Sequence, residues 1–133
     1  ISTSEVREIS PSGKLINSFK VEGTPFTTLE STDGNYWIAC GDGHTLIEVN
    51  PNDGQIIRRY NENDIKGVRL FFTAGLCKSS DGNLYICNWQ GHSHDANAAN
   101  SPQLFEINQK GEVIWSLNDN QTFGMISAVS TIN

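Results

Sequence analysis

Short apolar segments separated by polar turns recur along the chain and predict β-hairpins. Residues 46–60 read LIEVNPNDGQIIRRY, an alternating segment, a turn containing glycine and a second segment. Residues 6–19 (VREISPSGKLINSF) and 104–117 (LFEINQKGEVIWSL) repeat that order. Alternation with a period of two around a glycine turn is typical of two antiparallel strands, so we expect three related hairpins.

A second recurring segment precedes two of these hairpins. It reads STDGNYWIACGDGH at 31–44 and SSDGNLYICNWQGH at 79–92, and the two copies align at a spacing of 48 residues. The hairpins that follow lie 58 residues apart, so the second copy carries an insertion of ten residues, at 93–102. With apolar stretches ahead of each Asp-Gly-Asn turn, each full unit is predicted to contain four antiparallel strands.

These units predict a single all-β domain over residues 1–133, because no segment shows a sustained helical period. We divide the chain into half a unit at 1–20, a full unit at 21–66, a full unit with the insertion at 67–118, and the first strand of a further unit at 119–133. Self-similarity at this period is typical of stacked units that bury their apolar faces against one another.

The two full units, DGNYWIA…TLIEVNPNDGQIIRRY and DGNLYIC…QLFEINQKGEVIWSL, resemble blades of the β-propeller group that includes quinoprotein-like, NHL-type and arylsulfotransferase-like proteins. The resemblance implies β-propeller blades of four antiparallel strands in an incomplete ring, with about three blades in this chain. In the quinoprotein type, a Gly followed four residues later by Trp docks adjacent blades. Gly111 and Trp115 match that spacing, whereas Arg58 and Asn17 stand at the Trp position of the other hairpins. We therefore expect no cofactor.

An incomplete ring leaves three arrangements open. The chain is a fragment of a larger propeller, which we favour; copies associate through open blade edges; or the chain closes on itself. Open edges leave unpaired backbone groups and apolar faces exposed, so they promote association.

The charge and the hydrophobicity of the chain exclude two classes of partner, nucleic acids and a membrane that the chain would span. Nine basic and fifteen acidic residues give a formal net charge of −6, and Arg58-Arg59 is the one basic pair. We therefore expect no nucleic-acid partner. No apolar run approaches the roughly 18 residues of a membrane span, so we expect none. The resemblance implies a bacterial protein in the periplasm or at the cell surface.

Three cysteines leave two alternatives. Cys40 and Cys87 lie in the most apolar segments and read as buried thiols. A disulfide between Cys77 and Cys87 within one hairpin stays open, because the strand register decides it.

The connections between the second and third strands are the candidate functional site, because loops on a rigid scaffold often carry function. By the resemblance they lie on the rim of the propeller channel, and all three histidines of the chain fall in them. The candidate ligand-binding residues are His44, Trp89, Gln90, His92, His94 and Asp95.

These residues allow several chemistries. His92, His94 and Asp95 suit zinc, but a solvated polar loop uses the same residue types, and we predict no metal. Trp89 and Gln90 suit stacking on a sugar or another polar ring; the alternative is a half-buried Trp packed under the insertion. A histidine could also transfer protons.

We predict a non-catalytic binding scaffold that takes a protein, a glycan or a small polar ligand on its rim. The alternative is an enzyme, a hydrolase, lyase or transferase, that uses the rim histidines in the channel. A third possibility is that this piece has no autonomous function. No GxSxG motif or phosphate-binding glycine loop is present.

Overall fold

Ten strands form three antiparallel sheets in the computed structural model, which describes residues 3–90 and 98–132. The first sheet contains β1 (Thr3–Ile9) and β2 (Leu15–Glu22). The second contains β3 (Thr27–Glu30), β4 (Tyr36–Ala39), β5 (Leu46–Val49) and β6 (Ile56–Tyr60). The third contains β7 (Phe72–Lys78), β8 (Leu84–Trp89), β9 (Leu104–Ile107) and β10 (Val113–Leu117), with a short 3-10 helix, Ala98–Asn100, before β9.

In the two four-stranded sheets each strand pairs with the next along the chain. The last hairpin of each sheet turns through a glycine with positive φ: 81° at Gly13, 71° at Gly54 and 80° at Gly111. In all three turns the glycine N–H donates to the carbonyl of the residue that follows the preceding strand. Glycine takes this backbone conformation at little cost, which explains why it recurs in each hairpin.

The sheets pack face to face in chain order. Phe19 and Val21 of the first sheet pack against Ile38, Ile47 and Val49 of the second. The opposite face of the second sheet packs on the third through a larger cluster: Trp37, Ala39, Leu46, Ile65, Val68, Leu70, Leu76, Leu84, Ile86, Phe105 and Ile107. Strands β4 and β5 are thus covered on both faces, which accounts for the continuous apolar sequence of β4.

The all-β prediction is confirmed, but the β-propeller prediction is wrong. The three sheets are open, and the described residues form no closed ring. A strand pattern specifies the sheets, since alternation and turns are local, but it does not specify closure, which depends on contacts between distant sheets. The boundaries between units stay a prediction.

Residues 119–133 were predicted to form a strand, and the described part, 119–132, contains none. After a turn, this segment lies against the third sheet, and Ile126 and Val129 pack on the cluster of Phe72, Ala74 and Cys87. Side-chain contacts hold this segment, which forms no backbone ladder with a neighbouring strand. Its apolar positions are similar to those of β7 in sequence only.

Candidate functional site

His44 occupies a tight turn between β4 and β5. It is the one non-glycine residue with positive φ (52°) within residues 3–90 and 98–132. In the same turn, the N–H of Gly41 donates a hydrogen bond to the carbonyl of Thr73 in the third sheet at 3.2 Å. The Nδ1 of His44 contacts the carbonyl oxygen of Phe71. A carbonyl oxygen only accepts, so in the neutral imidazole Nδ1 carries the proton and Nε2 keeps its lone pair; the side chain is exposed.

Three aromatic side chains lie in a row beside this turn, and we call them the aromatic rim: Phe26, Phe72 and Trp89. The rings of Phe26 and Phe72 meet edge-on with centroids 4.9 Å apart, and those of Phe72 and Trp89 do so at 5.0 Å. Phe26 is 60% exposed, whereas Phe72 is buried. The rim therefore presents an apolar ring that its neighbours hold in place.

Gln90 follows the aromatic rim but directs its amide elsewhere. Its Nε2 donates to Oδ1 of Asn120 at 3.2 Å. Trp89 is half-buried. Gln90 therefore ties the end of β8 to the segment after β10, and its NH₂ group is used within the fold.

A buried amide, Asn88, holds the backbone that carries the Phe71 carbonyl. Its Oδ1 accepts from the N–H of Phe71 at 2.8 Å, and its Nδ2 donates to the carbonyls of Arg69 (2.8 Å) and Pro102 (3.0 Å). The hydroxyl of Ser101 completes the network by donating to the carbonyl of Arg69 at 2.9 Å. Such a satisfied network fixes the geometry of the loops around His44.

Gln103 is a second buried amide, and it holds the backbone of the segment after β10. Its Nε2 donates to the carbonyl of Phe123 at 2.6 Å, and its Oε1 accepts from the N–H of Asp119 at 2.8 Å. Gln103 and Asn88 are both 1% exposed. Sequence analysis missed both: amides next to apolar strands were the available signal, but the sequence does not show that they are buried or which groups they bond.

A second concave feature lies between the second and third sheets, at the end of β4 opposite to His44. The cavity has a volume of about 250 Å³. Its lining includes Trp37, Glu48, Arg58, Lys78 and Asn83. Glu48 is buried, and its carboxylate lies 3.7 Å from Nε of Arg58.

Glu48 belongs to a pair that the sequence analysis also missed. Nδ2 of Asn35 donates to Glu48 at 3.3 Å, and Nδ2 of Asn83 donates to Glu106 at 3.0 Å in the next sheet. A hydrogen bond with Glu106 raises the pKa of Tyr85. The recurrence of Asn and Glu in both units was the available signal, and it marks these pairs as parts of the repeat.

Three predicted site residues, His92, His94 and Asp95, lie outside the described residues. Within the described part of the chain, no group of three or more His, Cys, Asp or Glu residues is placed to hold a metal ion. His44 and Trp89 share one region, since His44 contacts the Phe71 carbonyl and the adjacent Phe72 packs on Trp89. That these residues bind a ligand stays a prediction.

The cysteines are free thiols, so the disulfide alternative is wrong. The register pairs Cys77 with Tyr85 and Cys87 with Leu104, which places the two cysteines at different levels of the sheet. Burial raises the pKa of Cys40, and burial raises that of Cys87 to about 11.

Taken together, the fold and the site define an all-β repeat protein whose ordered loops carry a histidine and an aromatic row on one side. Residues 1–112 match the family described as Mal s 1 allergenic protein-like, and the chain belongs to this family. A search of curated proteins found no match.

A solved structure with a similar fold is a protein of unknown function from Bacteroides caccae. It is 50% identical in sequence and superposes with a TM-score of 0.80. The match covers 96% of this chain and 46% of the other chain, so this chain spans about half the length of that relative.

The family match corrects the predicted relationship to quinoprotein-like, NHL-type and arylsulfotransferase-like propellers, which is wrong. The residues that carried the resemblance were Asp-Gly-Asn turns and alternating hairpins. Many antiparallel repeats need those residues for backbone reasons, so they do not distinguish one family from another. No helix of residues 3–90 and 98–132 has both the length and the apolar character needed to traverse a bilayer.

Proposed function

We propose that this protein is a non-catalytic binding module whose ligand docks on the aromatic rim. The preferred ligand is a glycan or a small polar molecule with one apolar ring face. Phe26 is the observation that carries the proposal: it is 60% exposed, yet its ring packs edge-on against Phe72. An aromatic ring fixed before binding loses little conformational entropy when a ligand stacks on it.

Polar groups next to the rim supply directional contacts. His44 offers the lone pair of Nε2, because its Nδ1 faces the Phe71 carbonyl. A sugar hydroxyl that donates to Nε2 while a ring face covers Phe26 would use both features. The predicted residues His92, His94 and Asp95 belong to the same proposal, as they follow Gln90 in the chain.

Ligand titration by NMR tests this function. A panel of mono- and oligosaccharides is screened by saturation transfer, and the dissociation constant of any ligand is then measured for Phe26→Ala. We expect a loss of at least about 5-fold, equivalent to about 1 kcal/mol of ring contact. Ile57→Ala is the matched control, because Ile57 is 52% exposed on β6. Equal losses in both variants, or no saturable binding by any sugar, would contradict the proposal.

The second candidate is an enzyme that uses His44 as a base. It is favoured by the positive φ of His44 and by the tautomer that its Phe71 contact imposes. His44→Asn is the informative variant, since Asn tolerates positive φ but cannot accept a proton near neutral pH. Hydrolase, lyase or transferase activity that survives this substitution would rule out His44 as the base.

We also infer that the three sheets are consecutive units of a larger array that further units complete. The repeated register of the sheets and the greater length of the Bacteroides caccae relative support this arrangement. A location outside the cytoplasm stays a prediction.

A further inference from the structure

The three sheets are joined by one hydrogen bond that recurs. The residue four positions after each turn glycine donates to the next sheet: Nδ2 of Asn17 bonds the carbonyl oxygen of Pro51 at 2.9 Å, and Nη1 of Arg58 bonds that of Gln109 at 2.7 Å. Pro51 and Gln109 occupy the same place, the second residue of their hairpin turns. The hydrogen bond therefore recurs at the same position of the repeat, although the donor is Asn in one unit and Arg in the other.

Beside this hydrogen bond, the turn glycine of the next sheet lies close against the preceding sheet. A Cβ on Gly54 would lie 2.8 Å from the carbonyl oxygen of Lys20, and a Cβ on Gly111 would overlap the side chain of Tyr60. A side chain at Gly54 would meet backbone, and a side chain at Gly111 would require the Tyr60 ring to move. These glycines are thus required both for the turn and for the close approach of two sheets.

Trp115 occupies the donor position on the third sheet. It pairs with Glu106 in the register, as Arg58 pairs with Glu48. Its ring packs edge-on to Tyr85 with centroids 6.2 Å apart, and the residue is 45% exposed. We name Tyr85, Glu106 and Trp115 together the Trp115 face.

The first sheet carries a turn equivalent to the acceptor turns of the other two sheets. Its turn, Ser10–Lys14, has Pro11 at the place of Pro51 and Gly13 at φ 81°, and nothing lies within 4 Å of a Cβ built on Gly13. Leu15, which follows this turn, is 60% exposed. One chain therefore carries an exposed donor, the Trp115 side chain, beside the half-buried Tyr85 and the buried Glu106 on one side, and an exposed hairpin on the other.

We propose that the Trp115 face docks the 10–14 hairpin of another unit of this repeat, which for the 133-residue chain is that of a second copy. The indole N–H of Trp115 donates to the carbonyl oxygen of Pro11, and Gly13 lies against β10 as Gly111 lies against Tyr60. Because the two surfaces differ, association is head-to-tail and each copy keeps one surface open for a further copy.

Sedimentation velocity over a range of concentrations tests the interface. We expect reversible association of the chain, weakened at least about 10-fold by Trp115→Ala, which corresponds to about 1.4 kcal/mol. Trp115→Phe keeps the ring and loses the donor, and we expect an intermediate loss. Gly13→Asn adds a side chain that collides only with a docked partner, since Asn tolerates positive φ. Circular dichroism and unfolding curves confirm that each variant is folded.

Mixing the Trp115→Ala and Gly13→Asn variants gives the most specific test of the interface. Trp115→Ala retains the hairpin and Gly13→Asn retains the face, so the mixture forms a one-to-one dimer that neither variant forms alone and that does not grow further. Controls are Ile114→Ala, beside Trp115 and 51% exposed, and Gly67→Asn, at φ 82° with open space around it. A chain that stays monomeric at all concentrations, a mixture that does not dimerise, or controls that weaken association equally would overturn the proposal.

Discussion

The guanidinium of Arg58 donates a 2.7 Å hydrogen bond to the carbonyl oxygen of Gln109, and so ties the second sheet to the third. The same group lies 5.6 Å from the ring centroid of Trp37 and 3.7 Å from the carboxylate of Glu48. Arg58 therefore neutralises a buried charge and bridges two sheets at once.

Removing this guanidinium should destabilise the protein. We expect Arg58→Ala to lower the free energy of unfolding by about 2–3 kcal/mol, because Glu48 keeps a buried charge without its cation. Urea unfolding measures the change. Arg59→Ala is the matched control: its bond to Glu22 is 3.3 Å long between exposed groups, so we expect a loss below about 1 kcal/mol. Equal losses would show that Arg58 does not link the sheets.

A side chain at position 111 should cost more than one at another glycine with the same φ. Gly111 and Gly67 share nearly the same φ, 80° and 82°, but only Gly111 faces a neighbour, the side chain of Tyr60. Alanine at either position pays the backbone cost of about 1–2 kcal/mol. We expect Gly111→Ala to cost about 2 kcal/mol more in the free energy of unfolding, since Tyr60 must move. A difference near zero would contradict the close approach of the sheets.

The Cys87 thiol should make stability fall at alkaline pH. Burial raises its pKa to about 11, above the unfolded value, so between roughly pH 9 and pH 11 the unfolded chain binds fewer protons than the folded chain. The free energy of unfolding therefore decreases as pH rises through this window. From roughly pH 8 to pH 10.5 we expect the wild type to lose about 2 kcal/mol more than Cys87→Ala. Cys77→Ala serves as the control: the Cys77 charge raises the pKa of Cys87 less than burial does, so this variant should keep most of the wild-type dependence.

Docking of the segment after β10 should depend on Gly75. A Cβ on Gly75 would lie 2.7 Å from the carbonyl oxygen of Ser127 and 2.9 Å from Cα of Ala128, so Gly75→Ala should displace this segment. Hydrogen exchange by mass spectrometry should then show faster exchange over 124–132 and little change in β9. Gly124→Ala has open space and should leave exchange as in the wild type. Unchanged exchange in Gly75→Ala would refute the docked position.

The sequence placed His44 and Trp89 in the candidate site, and their binding of a ligand stays a prediction. His44 and Trp89 were identified because both lie in the connections that follow equivalent apolar strands, although they occupy different positions within those connections. Their connection through Phe71 and Phe72 depends on contacts between two sheets, which a linear pattern does not contain. Asn88 and Gln103 were missed because a polar residue in sequence does not reveal its buried partners.

The sequence by itself determined the strands, the hairpin turns and the repeat, because alternation and positive-φ glycines act within a few residues of one another. It also indicated that β4 is buried on both faces, since its apolar residues lack polar alternation, whereas the burial of both faces of β5, including Glu48, appeared only in the structure. Only the tertiary structure decided that residues 119–132 form no strand, that the sheets stay open, and that Asn17 and Arg58 serve one docking role. Those outcomes depend on distances between groups far apart in the chain, and such distances follow from packing instead of from local preference.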